Sequence, residues 1–148
     1  MNIDVKADSA VAPVVGVLRR AGALDRVCLG AFCDRRVGAL RHALGPDLCT
    51  SMGPWEAVQL KLGAYRLGGR GWTGAAACAQ LPHRFGRLAI TGRSVLDRAH
   101  ELGLPVHVWT VDDPVEINSL LDAGVDAIMT DSPAVLRDVL VRRGQWHE

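Results

Sequence analysis

The chain of 148 residues is 49% hydrophobic and 22% charged, with 17 basic against 16 acidic residues and a formal charge of +1. This is the make-up of one soluble globular domain that buries a core without needing disulfide staples, and it lacks the concentrated basic field that nucleic acid or an anionic membrane selects. No apolar run reaches the roughly 18 residues that span a bilayer, and the acid-bearing start Met1-Asn2-Ile3-Asp4-Val5-Lys6-Ala7-Asp8 does not read as a signal peptide, so the expected compartment is the cytoplasm.

Short β-type runs alternate along the chain with capped amphipathic segments. Ile3–Val5 opens as a strand. Ser9 to Ala21 reads as a helix, with Pro13 tolerated in the first turn, Val14, Val15 and Leu18 as its apolar stripe and Gly22 as its stop. Val27–Phe32 is the next strand, and Asp34 is placed as the N-cap of a helix carrying Val37, Leu40 and Leu44 that ends at Gly45-Pro46. Leu48–Thr50 is a weaker strand, and Pro54 begins a helix with Val58, Leu62 and Tyr65 at helical spacing. That helix runs into Gly68-Gly69-Arg70-Gly71, read as a flexible connector rather than an anion cradle, since it does not open a helix after a strand.

Ala76–Leu81 is a short apolar run ending at Pro82. Thr91 or Ser94 starts a helix with Val95, Leu96, Ala99 and Leu102, closed by Gly103. Val106–Val111 is a strand. Asp113 caps the helix after it, with Pro114 in the first turn and Glu116 in the capping-box position; Ile117, Leu120 and Leu121 form its buried face and Gly124 its end. Val125–Thr130 is the last strand, and Ser132-Pro133 starts a final helix with Leu136, Val139 and Leu140, stopped at Gly144. Strands alternating with ten-residue helices predict an α/β fold with a parallel sheet and right-handed crossovers. Periodicity leaves an open doubly wound sheet and a β/α barrel both standing. The missing G-x-G-x-x-G after the first strand weighs against dinucleotide binding.

The four cysteines, Cys28, Cys33, Cys49 and Cys78, include no C-x-x-C pair and read as reduced, with Cys28 and Cys78 as small core residues. In parallel β/α folds function collects at the C-terminal strand ends. The polar residues there are Asp4 and Lys6, Cys33 and Asp34, Thr50 and Ser51, Trp109, Asp112 and Asp113, and Thr130 and Asp131. Asp4 and Lys6 are two apart on one strand and share a face. They read either as a cation ligand beside a phosphate-neutralising lysine or as an ion pair on an exposed terminal strand. His107 and Trp109 also share a face; His107 reads as a satisfied core histidine, Trp109 as pocket wall or core. Asp113 is accounted for as a cap, and Asp131 fits a turn as well as catalysis.

The block Val108-Trp109-Thr110-Val111-Asp112-Asp113 followed by Gly124-Val125-Asp126-Ala127-Ile128-Met129-Thr130-Asp131-Ser132-Pro133 resembles the C-terminal end of the glycerophosphodiester phosphodiesterase family. Ala99-His100-Glu101-Leu102-Gly103-Leu104 resembles the family's A-H-x-x-G-L helix end, and Asn2-Ile3-Asp4-Val5-Lys6 its N-I-E-x-K strand. Ala31-Phe32 falls where the family has Ser-Phe. The resemblance implies a partial TIM-type (β/α) barrel, about strands four to eight with their helices. The implied reaction is hydrolysis of glycerophosphodiesters to sn-glycerol 3-phosphate and an alcohol, dependent on a divalent cation, Mg2+ or Ca2+. It implies Asp4 as metal ligand, Lys6 as phosphate contact and Trp109 as substrate-lining residue. Asp4 in place of the family's Glu shortens the reach by one methylene.

The family's H-R, E-x-D and H-D motifs, which bring the acid–base histidines and most metal ligands, are absent from these residues. His42, His83, His100, His107 and His147 match none of them. The chain is therefore expected to be inactive alone, about 100 residues short of a typical barrel. Its first strand is expected to present an unpaired edge, to be satisfied by a longer natural polypeptide, a second copy or a complementing N-terminal fragment. The competing reading is a non-catalytic remnant or association module.

Overall fold

The computed structural model describes residues 1–67, 74–85 and 88–146. The glycine-rich connector Gly68–Gly71 and His147 lie outside the described residues. The chain divides into two compact units, Met1–Ala79 and Gln80–Glu148.

In the first unit, β1 (Asn2–Asp4) pairs in parallel with β2 (Cys28–Gly30), Ile3 opposite Leu29. Leu29 bridges Thr50 and Ser51 bridges Cys78, both in parallel. Each strand is added beside its predecessor, and no reversal of order occurs among the described residues of this unit. The crossovers are α1 (Val11–Ala21), entered through a 3-10 turn at Asp8–Ala10, then α2 (Asp34–Leu44) and α3 (Pro54–Ala64). Val15 and Leu18 of α1 and Val37 and Leu40 of α2 pack with Val5, Val27, Leu29, Ala31 and Leu48 into one core. At about 25 cal/mol per Å2 of apolar surface removed from water, such burial supplies the main driving force.

The helix predicted from Ser9 thus begins as a 3-10 turn, and the strand predicted over Val27–Phe32 contracts to its centre. Asp34 is corrected from N-cap to first helical residue. Cys33, with extended φ −162° and ψ 116°, is the N-cap of α2.

In the second unit, β3 (Ala79–Pro82), β6 (Val106–Trp109) and β7 (Ala127–Ile128) form a sheet in that order, and β6 pairs with β7 in parallel, Val108 opposite Ile128. Between them stand an antiparallel pair, β4 (Arg84–Phe85) with β5 (Leu88–Ala89), and α4 (Arg93–Glu101). Strands two residues long fall below what periodicity can resolve, so the pair is absent from the sequence reading. After β6 come α5 (Pro114–Ala123) and, after β7, α6 (Pro133–Arg142). Asp113 caps α5 as expected, its carboxylate accepting from the Val115 and Glu116 amides. Gly124 ends it at φ +95°, which only a residue without Cβ adopts freely, and lets the Val125 amide reach back to the Leu120 carbonyl at 3.2 Å. Val106, Val108, Ile117 and Val139 are fully buried.

Candidate functional site

Period-2 alternation sorts the residues around β1. Val5 enters the core and Ile3 packs against it, while Asp4 and Lys6 stand on the opposite, exposed face. Their charged groups are 3.7 Å apart, with side-chain exposures of 34% for Asp4 and 84% for Lys6. An ion pair so open to water contributes little stability, which leaves the ammonium free to meet an anion. Sequence reasoning missed a second cation at this strand end. Arg36 of α2 donates from Nη1 to the Val5 carbonyl at 2.6 Å, and its Nε lies 3.1 Å from Asp8, which also pairs with Arg35.

At the end of β2, Cys33 occupies the start of α2. The backbone amides of Arg36 and Arg35 in the first turn hold its thiol below the ordinary thiol range. Asp34 turns away from its own helix: its Oδ1 accepts from the Trp55 amide at 2.9 Å, in the first turn of α3.

Thr50 and Ser51 are drawn into the core. Both are buried, and they close a polar network around Arg41. The Arg41 guanidinium donates to both oxygens of Glu56 at 2.8 and 3.0 Å, to Thr50 Oγ1 at 2.9 Å and to the Ser51 carbonyl at 3.4 Å. The Gly53 amide adds a third donor to Glu56 at 2.8 Å. Burial would raise the Glu56 carboxyl, but Arg41 and Gly53 outweigh it and hold it below its ordinary value.

In the second unit, His107 and Trp109 share the half-buried face of β6, opposite Val106 and Val108. His107 Nδ1 lies 3.4 Å from Gln80 Nε2, and burial lowers its pKa. The Trp109–Thr110 peptide that follows is cis. Beyond it, Asp112 accepts from Thr130 Oγ1 at 2.6 Å and from the Asp131 amide at 2.8 Å, which hold its carboxyl below the usual range. The Ser132 amide in turn donates to Thr130 Oγ1 at 2.9 Å. Asp112, Thr130 and Asp131 therefore tie together the C-terminal ends of β6 and β7.

Glu116, expected to serve a capping box, lies 3.6 Å from His83 Nε2 and 3.5 Å from Arg84. His83 follows β3, and its amide donates to the Trp109 carbonyl at 3.0 Å. Its ring nitrogen Nδ1 lies 3.4 Å from Thr91 Oγ1. This His83–Glu116–Arg84 cluster carried no sequence signal, because Glu116 lies more than 30 positions from the adjacent His83 and Arg84. Asp4 and Lys6 thus meet in the first unit, and Trp109 belongs to the second.

The described residues do not by themselves complete a divalent-cation site. A hard cation takes six or more oxygen ligands, Asp4 offers one carboxylate already facing Lys6, and among the described residues no group of three His, Cys, Asp or Glu could hold a metal ion. Among the described residues no helix is long and apolar enough to cross a membrane.

The fold is that of an α/β protein with parallel strands whose polar groups gather at the strands' C-terminal ends. The model of the glycerophosphoryl diester phosphodiesterase family matches residues 51–135, more than half of the chain. A Mycobacterium tuberculosis protein named as a probable glycerophosphodiester phosphodiesterase is 39% identical over 150 residues, covering 99% of this chain and 56% of that protein. Crystal structures of glycerophosphodiester phosphodiesterases share the fold. That from Parabacteroides distasonis matches with a TM-score of 0.69 at 21% identity, over 97% of this chain and 58% of the other. That from Agrobacterium tumefaciens matches at 0.64 and 19%, over 91% and 53%. The chain belongs to the glycerophosphoryl diester phosphodiesterase family, and it spans little more than half the length of these relatives.

Proposed function

We propose that this chain is the C-terminal portion, about strands four to eight, of a (β/α) barrel that hydrolyses glycerophosphodiesters to sn-glycerol 3-phosphate and an alcohol. The sequential strand order within each unit, with parallel pairing of β1 with β2 and of β6 with β7, supports the barrel over a doubly wound sheet, which would reverse at a switch point. In this reading Lys6 neutralises the phosphate, Asp4 contributes one ligand to a cation completed by residues beyond those described, and Trp109 lines the substrate site. The observation that carries it is the exposed Asp4–Lys6 pair at the end of β1, in a member of this family.

The H-R and H-D motifs that bring the family's acid–base histidines are not among these residues, so in this reading the 148 residues alone turn over no substrate. An assay of sn-glycerol 3-phosphate release from glycerophosphocholine with Mg2+ or Ca2+ is expected to match an Asp4→Ala control; turnover clearly above that control would overturn the inactivity. Titration with sn-glycerol 3-phosphate separately tests Lys6. Lys6→Ala is expected to weaken binding ~10-fold or more, the worth of one charge-assisted hydrogen bond; equal affinity would remove Lys6 from the site.

A further inference from the structure

Three of the four cysteines converge in the first unit. Cys28 opens β2, the Leu29–Thr50 bridge sets Cys49 opposite it, and Cys78 stands in the bridge to Ser51. Alternation puts all three on the sheet face opposite Leu29 and Thr50. The Cys28 and Cys78 sulfurs are 3.8 Å apart, in van der Waals contact, although 50 positions separate them in sequence. Cys78 is buried and Cys28 half-buried. Neither thiol takes part in a helix cap or in the Arg41 network.

We propose that Cys28 and Cys78 form a dithiol–disulfide pair, a peroxide-sensitive modification site that links β2 covalently to the Cys78 segment. The Cys78 sulfur attacks one oxygen of hydrogen peroxide, the O–O bond breaks, and a sulfenic acid forms with release of water. The Cys28 sulfur then attacks the Cys78 sulfur. The S–O bond breaks, and its oxygen leaves with the Cys28 proton as a second water. Two thiols lose two electrons and two protons, and one peroxide becomes two waters.

Either thiol can donate in this contact. The contact holds the Cys78 thiol below the ordinary range and, with burial, pushes the Cys28 thiol up, which favours Cys78 as the nucleophile. Closing the sulfurs from 3.8 Å to about 2.05 Å requires movement of the backbone or rotamers. Cys28 is the first residue of a short strand and Cys78 sits in a single bridge after irregular chain, so that movement falls at strand ends.

The test treats the folded chain with hydrogen peroxide, alkylates the remaining thiols and maps the digest by non-reducing mass spectrometry. Expected are an intact mass lower by two hydrogens, a peptide cross-linked through Cys28 and Cys78, and full recovery of free thiols with dithiothreitol. Cys33→Ser is expected to form the same cross-link and Cys78→Ser to form none. A cross-link from Cys28 to Cys49, a Cys78 over-oxidised beside a free Cys28, or four thiols still open to alkylation after treatment would each overturn the proposal.

Discussion

Arg41 and Glu56 form the most enclosed ion pair described in the first unit, with side-chain exposures of 23% and 12%. Truncating one partner strands the other charge, so Arg41→Ala is expected to cost about 3 kcal/mol in denaturant unfolding at neutral pH. The pH dependence has a definite sign. Glu56 titrates lower in the folded chain than in the unfolded one, so its stabilisation is complete above the ordinary Glu value. It is lost as pH falls through the lowered folded value. Wild type should therefore lose more stability than Arg41→Ala between about pH 7 and pH 3. Among the thiols, Cys33 is held low by the Arg36 and Arg35 amides while Cys49 is pushed up to about 11 by burial and by Cys28. Iodoacetamide near neutral pH should label Cys33 first and Cys49 more slowly, which time-resolved peptide mapping will read. A faster Cys49 would contradict the environments described.

Helix α3 shows how an element can be capped from outside its own segment. Its N-cap is Gly53, which has no side chain to satisfy the free amides, and the Asp34 carboxylate fills that place by accepting from Trp55. A Cβ on Gly53 would lie 2.5 Å from Asp34 Oδ1. Asp34→Ala is expected to cost about 1 kcal/mol, as for other lost caps. Gly53→Ala should destabilise the wild type but less so the Asp34→Ala background, where the space is open. Equal costs in the two backgrounds, measured as a double-mutant cycle in urea, would show that the two residues do not share that space. The sequence pattern did mark Asp34 as a capping residue, and it erred only in the helix served. Helix α5, by contrast, was legible at both ends, because Asp113, Pro114 and Gly124 act within one contiguous stretch, and only the role of Glu116 was missed.

At the scale of the whole molecule, the chain accounts for 56% of the M. tuberculosis relative. Co-refolding it with the part of that relative outside the matched 56% is expected to elicit sn-glycerol 3-phosphate release, reduced ~10-fold or more by Lys6→Ala. Failure of the mixture to gain activity would count against the completed-barrel reading. The alternation of strands and helices, the local caps and the shared face of Asp4 and Lys6 were determined by the sequence alone, since periods of 2 and 3.6 and a cap are properties of neighbouring residues. Only the tertiary structure decided that Thr50 and Ser51 serve Arg41, that Glu116 faces His83 and Arg84, and that Cys28 touches Cys78. Those contacts join residues 9 to 50 positions apart, and they depend on strand register and helix packing, which spacing along the chain does not encode.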